Sequence, residues 1–127
     1  MNGERYLLDT NAIIAVLRGD EPVLERLRKA QWVGISILSQ IEFLAFPDLP
    51  DQDKLCFAQF LERVEVVGLD RSQLQLIERI IEGRRLHRLK LPDAIIVGTA
   101  VHSAASLVTG DRQLLSLTGI ASVGLAR

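Results

Sequence analysis

Short apolar runs alternate with longer amphipathic stretches along the chain, a pattern that predicts repeated strand–helix units. Arg5-Tyr-Leu-Leu-Asp9 reads as a first strand, followed by a short helix from Asn11 to Arg18 that Gly19 ends. Asp20 suits an N-cap and Pro22 the first turn of a second helix, which reaches about Ala30. Trp32 to Ile37 is the second strand. Ser39 opens a helix running through Phe46, and Pro47-Asp-Leu-Pro-Asp51 stops it with the strongest turn signal in the chain. A further helix covers roughly Gln52 to Arg63, and Val64 to Val67 is the third strand. Asp70 caps the next helix, where Leu74, Ile77, Ile80 and Ile81 recur at helical spacing before the basic stretch Arg84 to Lys90. Pro92 starts a helix from Asp93 to about Ser103, Ser106 to Thr109 is the fourth strand, and Arg112 to Leu117 is a short helix. Ala121 to Val123 is a candidate fifth strand.

Strands alternating with helices predict a three-layer α/β/α domain with a mainly parallel sheet of four to five strands. A chain of 127 residues without repeat, linker or low-complexity segment fits one domain, residues 1–127. Hydrophobic residues make up 48% and aromatics only 5%, so aliphatic side chains must supply most of the core, as suits a parallel sheet covered on both faces. The single cysteine, Cys56, excludes an internal disulfide and a zinc site built on several thiolates. It lies in a helix-like apolar pattern beside Leu55 and Phe57, which favours a buried free thiol over a nucleophile. No secretory pattern opens the chain, and no stretch approaches the roughly 18 uninterrupted apolar residues of a membrane span, so a cytoplasmic protein is expected. The net charge of −1 gives no global support to nucleic-acid binding; any phosphate recognition must be local or metal-borne.

Candidate chemistry lies in four acids: Asp9 at the end of the first strand, Glu42 in the helix after the second, Asp93 beside Pro92, and Asp111 after the fourth strand. Ligands of open α/β sheets bind outside the carboxyl ends of the strands, so all four can converge on one edge. Carboxylates brought together repel and raise one another's pKa, and a divalent cation removes the conflict. Mg²⁺ or Mn²⁺ suits an all-oxygen donor set and can activate water against a phosphodiester. Each acid also has a purely structural reading. Asp9 can begin a turn with Thr10 and Asn11, and Ser39 with Glu42 has the spacing of a capping box. Asp93 fits the charge preference of a helix N-terminus, and Asp111 in Thr-Gly-Asp-Arg fits a turn or a cap. Their shared placement favours the site.

These blocks resemble the PIN domain family. Leu7-Leu-Asp-Thr-Asn-Ala-Ile13 looks like its opening, Ser36-Ile-Leu-Ser-Gln-Ile-Glu-Phe-Leu44 like its second block, Leu91-Pro-Asp-Ala-Ile-Ile-Val97 like its third and Val108-Thr-Gly-Asp-Arg112 like its fourth. The size and the second block look most like VapC-type toxins. The resemblance implies an endoribonuclease in which Asp9, Glu42, Asp93 and Asp111 hold Mg²⁺ or Mn²⁺, with Thr10, Asn11 and Thr109 in support. It implies RNA cleavage leaving a 5′-phosphate and a 3′-hydroxyl, a homodimer, and a cognate antitoxin that blocks or disrupts the acidic pocket. Many relatives carry another acid shortly after the fourth-block aspartate; here Gln113 and Leu114 follow Arg112, which bears on a second metal.

Arg84, Arg85, Arg88 and Lys90, with His87 among them, form a basic cluster leading to Asp93 that can hold RNA phosphates or simply complement a helix C-terminus. Metal-activated water has no need of His87 as a base, His102 is expected to be a hydrogen-bonded structural residue, and Trp32 is read as core or interface. Phe43, Phe46 and the turn from Pro47 to Asp51 suit a dimer or antitoxin contact, or a packed helix end. A receiver-like domain is a poor fit because none of Lys29, Lys54 and Lys90 follows the fourth strand, and a dehalogenase-like phosphatase because Asp9-Thr-Asn11 lacks the second acid. The serious alternative is a non-catalytic PIN-like module that binds RNA or protein.

Overall fold

The computed structural model of the protein describes residues 4–125. The elements run β1 (Arg5–Leu8), α1 (Thr10–Leu17), α2 (Glu21–Arg28), β2 (Trp32–Ser36), α3 (Ile37–Leu44) and α4 (Asp51–Leu61). They continue with β3 (Glu65–Val67), α5 (Leu74–His87), α6 (Leu91–His102), β4 (Ser106–Thr109), α7 (Arg112–Leu115) and β5 (Ser122–Gly124). The sheet is wholly parallel and has the order β3-β2-β1-β4-β5. Chain progression therefore reverses between β1 and β4. In open α/β sheets that reversal opens a crevice at the carboxyl ends of the two strands.

Strand alternation divides the core into two layers. Leu7 and Leu107 face Leu76, Ile80, Val97 and Ala100 of α5 and α6, whereas Tyr6, Leu8 and Val108 face Ile13 of α1, Phe43 of α3 and Phe57 of α4. Phe43 and Phe57 stack with ring centroids 4.2 Å apart. On the other side, α5 and α6 pack closely enough that a Cβ on Gly98 would stand 2.9 Å from the Ile80 backbone nitrogen. This crossing fixes where α6, and hence its first turn, sits over the sheet.

Several local expectations change. The first strand ends at Leu8, because Asp9 already caps α1 through a hydrogen bond from the Ala12 N–H. Ser39 does not open α3. Ser36 takes the cap, accepting from Leu38 N at 3.0 Å, and α3 begins directly as β2 ends. Ser39 is fully buried inside the helix, and its hydroxyl has no partner among the described residues, so the capping box with Glu42 does not form. Asp70 likewise closes a turn onto Ser72, and α5 starts after Gln73. Cys56 is half-buried and unpaired. Trp32 packs against the core and donates its indole N–H to Glu65 at 2.8 Å. Among the described residues no helix is long and apolar enough to cross a membrane.

Candidate active site

At the reversal point β1 and β4 lie side by side, pairing Leu8 with Val108. Each strand is followed at once by a helix with an aspartate at its N-cap. Asp9 Oδ1 accepts from Ala12 N at 2.8 Å, and Asp111 Oδ1 accepts from Gln113 N at 2.8 Å and Leu114 N at 3.2 Å. The two turns are tied together through Thr109, whose buried hydroxyl donates to Asp9 Oδ2 and accepts from the Asp111 N–H at 3.0 Å. Asp9 is only 7% exposed, so its second oxygen is held by a side chain rather than by bulk water.

Glu42 is exposed on α3 and reaches toward α1, where the Thr10 hydroxyl donates to its Oε1 at 2.5 Å. Asp93 is half-buried in the first turn of α6, with Pro92 beside it. No hydrogen bond to its carboxylate forms among the described residues, in contrast to Asp9 and Asp111. Asp9, Thr10, Asn11, Glu42, Asp93 and Asp111 all line one pocket of about 130 Å³, and among the described residues no arginine, lysine or histidine lines it with them.

Burial and mutual repulsion act on this group as electrostatics requires. Burial pushes Asp9 above the ordinary aspartate range; hydrogen bonds from Thr109 and Ala12 oppose the shift without cancelling it, and Asp111 and Glu42 add to it. Asp93 is also raised, first by burial and then by Asp111 and Glu42, with Lys90 pulling the other way. Although the acids share one pocket, no three metal-ligating side chains among the described residues stand close enough to form a ligand cluster. The pocket is thus a ring of acids held apart. Its acids offer oxygen donors, and no basic side chain among the described residues lines it, which is the chemistry a hard divalent ion fits.

The basic segment lies beside this pocket without lining it. Arg84 donates to the Leu89 carbonyl at 3.0 Å, Arg88 ends α5 in the left-handed region at φ 55°, and Arg85 is exposed. Lys90, at the N-cap of α6, is the member whose charge reaches Asp93. His87 lines a separate cavity with Val97 and Gly119. His102 is exposed at the end of α6 and makes no side-chain hydrogen bond among the described residues, so the structural role expected of it is not seen. Phe43 is buried, while Phe46 is 40% exposed beside Pro47 and Leu49.

Sequence reasoning passed over a second feature. A cleft of about 750 Å³ adjoins the acid pocket, sharing Asn11 with it, and is flanked by Arg18 from the end of α1 and Arg112 from the start of α7. Arg18 belongs to no motif and Arg112 only closes the fourth block, so their meeting across one cleft is visible only in the folded arrangement.

The PIN domain family profile matches residues 6–119. Among solved structures, a toxin–antitoxin complex from Klebsiella pneumoniae superposes with a TM-score of 0.77 at 23% identity, covering 96% of this chain and 98% of that one. VapBC2 from Rickettsia felis, bound to a DNA fragment from its promoter, gives 0.74 at 16% identity over 96% and 99%. DNA-bound VapBC from Salmonella typhimurium gives 0.72 at 21% identity over 97% and 99%. At these identities the likeness is one of fold. No curated protein matches the chain.

Proposed function

The chain belongs to the PIN domain family, and from that premise we propose that it is a metal-dependent endoribonuclease, the VapC-type toxin of a toxin–antitoxin pair. The observation that carries this reading is the pocket at the sheet's reversal point lined by Asp9, Glu42, Asp93 and Asp111, with no basic side chain among the described residues in its lining. The fold neighbours are toxin–antitoxin complexes, which supports the toxin assignment and an antitoxin as partner. RNA in the cytoplasm is the proposed substrate.

In this reading the four acids are the residues that would hold Mg²⁺ or Mn²⁺. When bound, the ion supplies Lewis acidity, making water a better nucleophile and offsetting charge on the phosphodiester. The protein's own contribution is position. Thr109 and the Ala12 N–H fix the two oxygens of Asp9, so the acid is set before any ligand arrives. Thr10 steadies Glu42, which would otherwise be a long, freely rotating side chain on an exposed face. Asn11, exposed at the pocket's mouth, is available to substrate or water, and Lys90 offsets charge on the α6 side. Arg84, Arg85 and Arg88, in the segment that leads to Lys90, are proposed as further phosphate contacts. A homodimer is part of the same proposal, supported by exposed apolar side chains such as Leu74, Leu86 and Leu91 on α5 and α6.

The test is incubation of purified protein, freed of any antitoxin, with a mixed RNA panel in Mg²⁺ or Mn²⁺, with EDTA and Asp93→Asn alongside. Cleavage that needs both the metal and Asp93 is the expected result. Tight RNA binding without cleavage in any metal would instead identify a non-catalytic binding module.

A further inference from the structure

We propose that the cleft flanked by Arg18 and Arg112 is the path along which single-stranded RNA lays its backbone as it enters the acid pocket, a substrate subsite that rests on the nuclease reading above. The acid pocket, at about 130 Å³, holds the reacting phosphate but leaves no room for the nucleotides on either side. The adjoining cleft is about 750 Å³ and shares Asn11 with it, so a strand leaving the acids meets this space next.

The sign of charge changes across that boundary. The acid pocket has carboxylates and, among the described residues, no basic lining, whereas Arg18 and Arg112 line the cleft. A polyanion approaching uncompensated acids is repelled, and cations along the flanking backbone offset that repulsion. Both arginines are exposed, and neither makes an ion pair or side-chain hydrogen bond among the described residues. Others are occupied: Arg28 pairs with Glu21 and Glu25, Arg79 with Glu82, and Arg84 bonds the Leu89 carbonyl. Asp20 also lines the cleft, but its Oδ1 accepts from Val23 N at the start of α2, which absorbs part of its charge.

The arginines are also placed by the acids' own elements. Arg18 is the C-cap of the helix that Asp9 begins, and Arg112 follows Asp111, whose caps fix the turn. The caps thus fix where each arginine leaves the backbone relative to the reacting centre, and the planar guanidinium donors match phosphate oxygens in a way lysine cannot. Ile14, Leu115 and Leu125 give the cleft an apolar floor against which ribose and base can rest.

The test measures affinity of the full chain for a fluorescent oligouridylate by anisotropy across a salt series, in Ca²⁺, with gels confirming that the probe stays intact. Arg18→Gln and Arg112→Gln are compared with Arg63→Gln, an equal charge change before β3, at the opposite edge of the sheet. Each cleft variant is expected to weaken binding roughly three- to tenfold and to flatten the log–log salt slope by about 0.7, the value for one lost phosphate contact on a single strand. Circular dichroism and melting confirm that each variant is folded. Affinity and slope equal to those of Arg63→Gln would overturn the proposal. So would loss of antitoxin binding with RNA affinity intact, which would reassign the cleft to the protein partner. If those variants match the control while the wild type still cleaves RNA through Asp93, the subsite fails and the nuclease stands. If the wild type neither binds nor cleaves RNA, both fail.

Discussion

The hydroxyl of Thr109, the last residue of β4, donates to the carboxylate of Asp9, the residue just after β1, across 100 positions of sequence. The same oxygen accepts from the Asp111 N–H. One buried side chain therefore sets the spacing of two acids that belong to different turns.

Thr109→Val keeps the shape but leaves a buried carboxylate oxygen and a backbone N–H without that partner. A destabilisation of about 1–3 kcal/mol is expected from the unsatisfied groups, read by urea denaturation. Metal affinity should fall with it, because Asp9 loses the contact that orients it. An unchanged stability would mean that the hydroxyl is not bonded as described.

The start of α3 can be tested with two serines. Ser36→Ala removes the cap on Leu38 N and should cost about 1 kcal/mol. Ser39→Ala removes a buried hydroxyl with no partner and should be neutral or stabilising. The opposite ranking would restore the capping box and displace Ser36.

The acids should make the metal-free protein less stable at neutral pH than it would be without them. Asp9 and Asp93 hold their protons to higher pH in the folded chain than when unfolded. Their contribution therefore falls as pH rises from the ordinary aspartate value through the raised folded values, and the penalty is complete above them. Asp93→Asn should raise the melting temperature in EDTA at neutral pH, with the gain shrinking as pH drops toward the ordinary aspartate range. Mg²⁺ should raise the melting temperature of the wild type and do so much less for this variant. A gain that is the same at every pH would show that charge is not its source.

The α5–α6 crossing offers a pair of opposite sign. A Cβ at Gly98 would lie 2.9 Å and 3.0 Å from backbone atoms of Ile80, so Gly98→Ala should cost about 1–3 kcal/mol through overpacking. At Gly83 the nearest atoms of Ala94 are 3.7 Å away, and Gly83→Ala should stabilise α5 by about 0.5–1 kcal/mol. Thermal melting of both variants checks the ranking.

Much of this architecture was legible because apolar periodicity is a local property. Ser106–Thr109 reads as a strand and is one, and Asp20 with Pro22 opens α2 as expected. The misplaced helix starts have a common cause. Each start is set by where the preceding strand or turn ends: β2 runs out at Ser36, which caps α3 three residues before Ser39, and Asp70 closes a turn onto Ser72, so α5 begins only after Gln73. For the acids, sequence could place each at a strand or helix end but not supply the order β3-β2-β1-β4-β5, which makes neighbours of Asp9 and Asp111. The Thr109–Asp9 bond and the pairing of Arg18 with Arg112 across a cleft arise only from long-range packing.

Whether Asp9, Glu42, Asp93 and Asp111 form a divalent-cation site is decided by Mn²⁺ binding to the metal-free chain, measured by paramagnetic resonance. Saturable binding to the wild type is expected, weakened at least roughly tenfold by Asp9→Asn or Asp93→Asn and unchanged by Arg63→Gln. Equal Mn²⁺ affinity in the wild type and both acid variants would contradict that assignment.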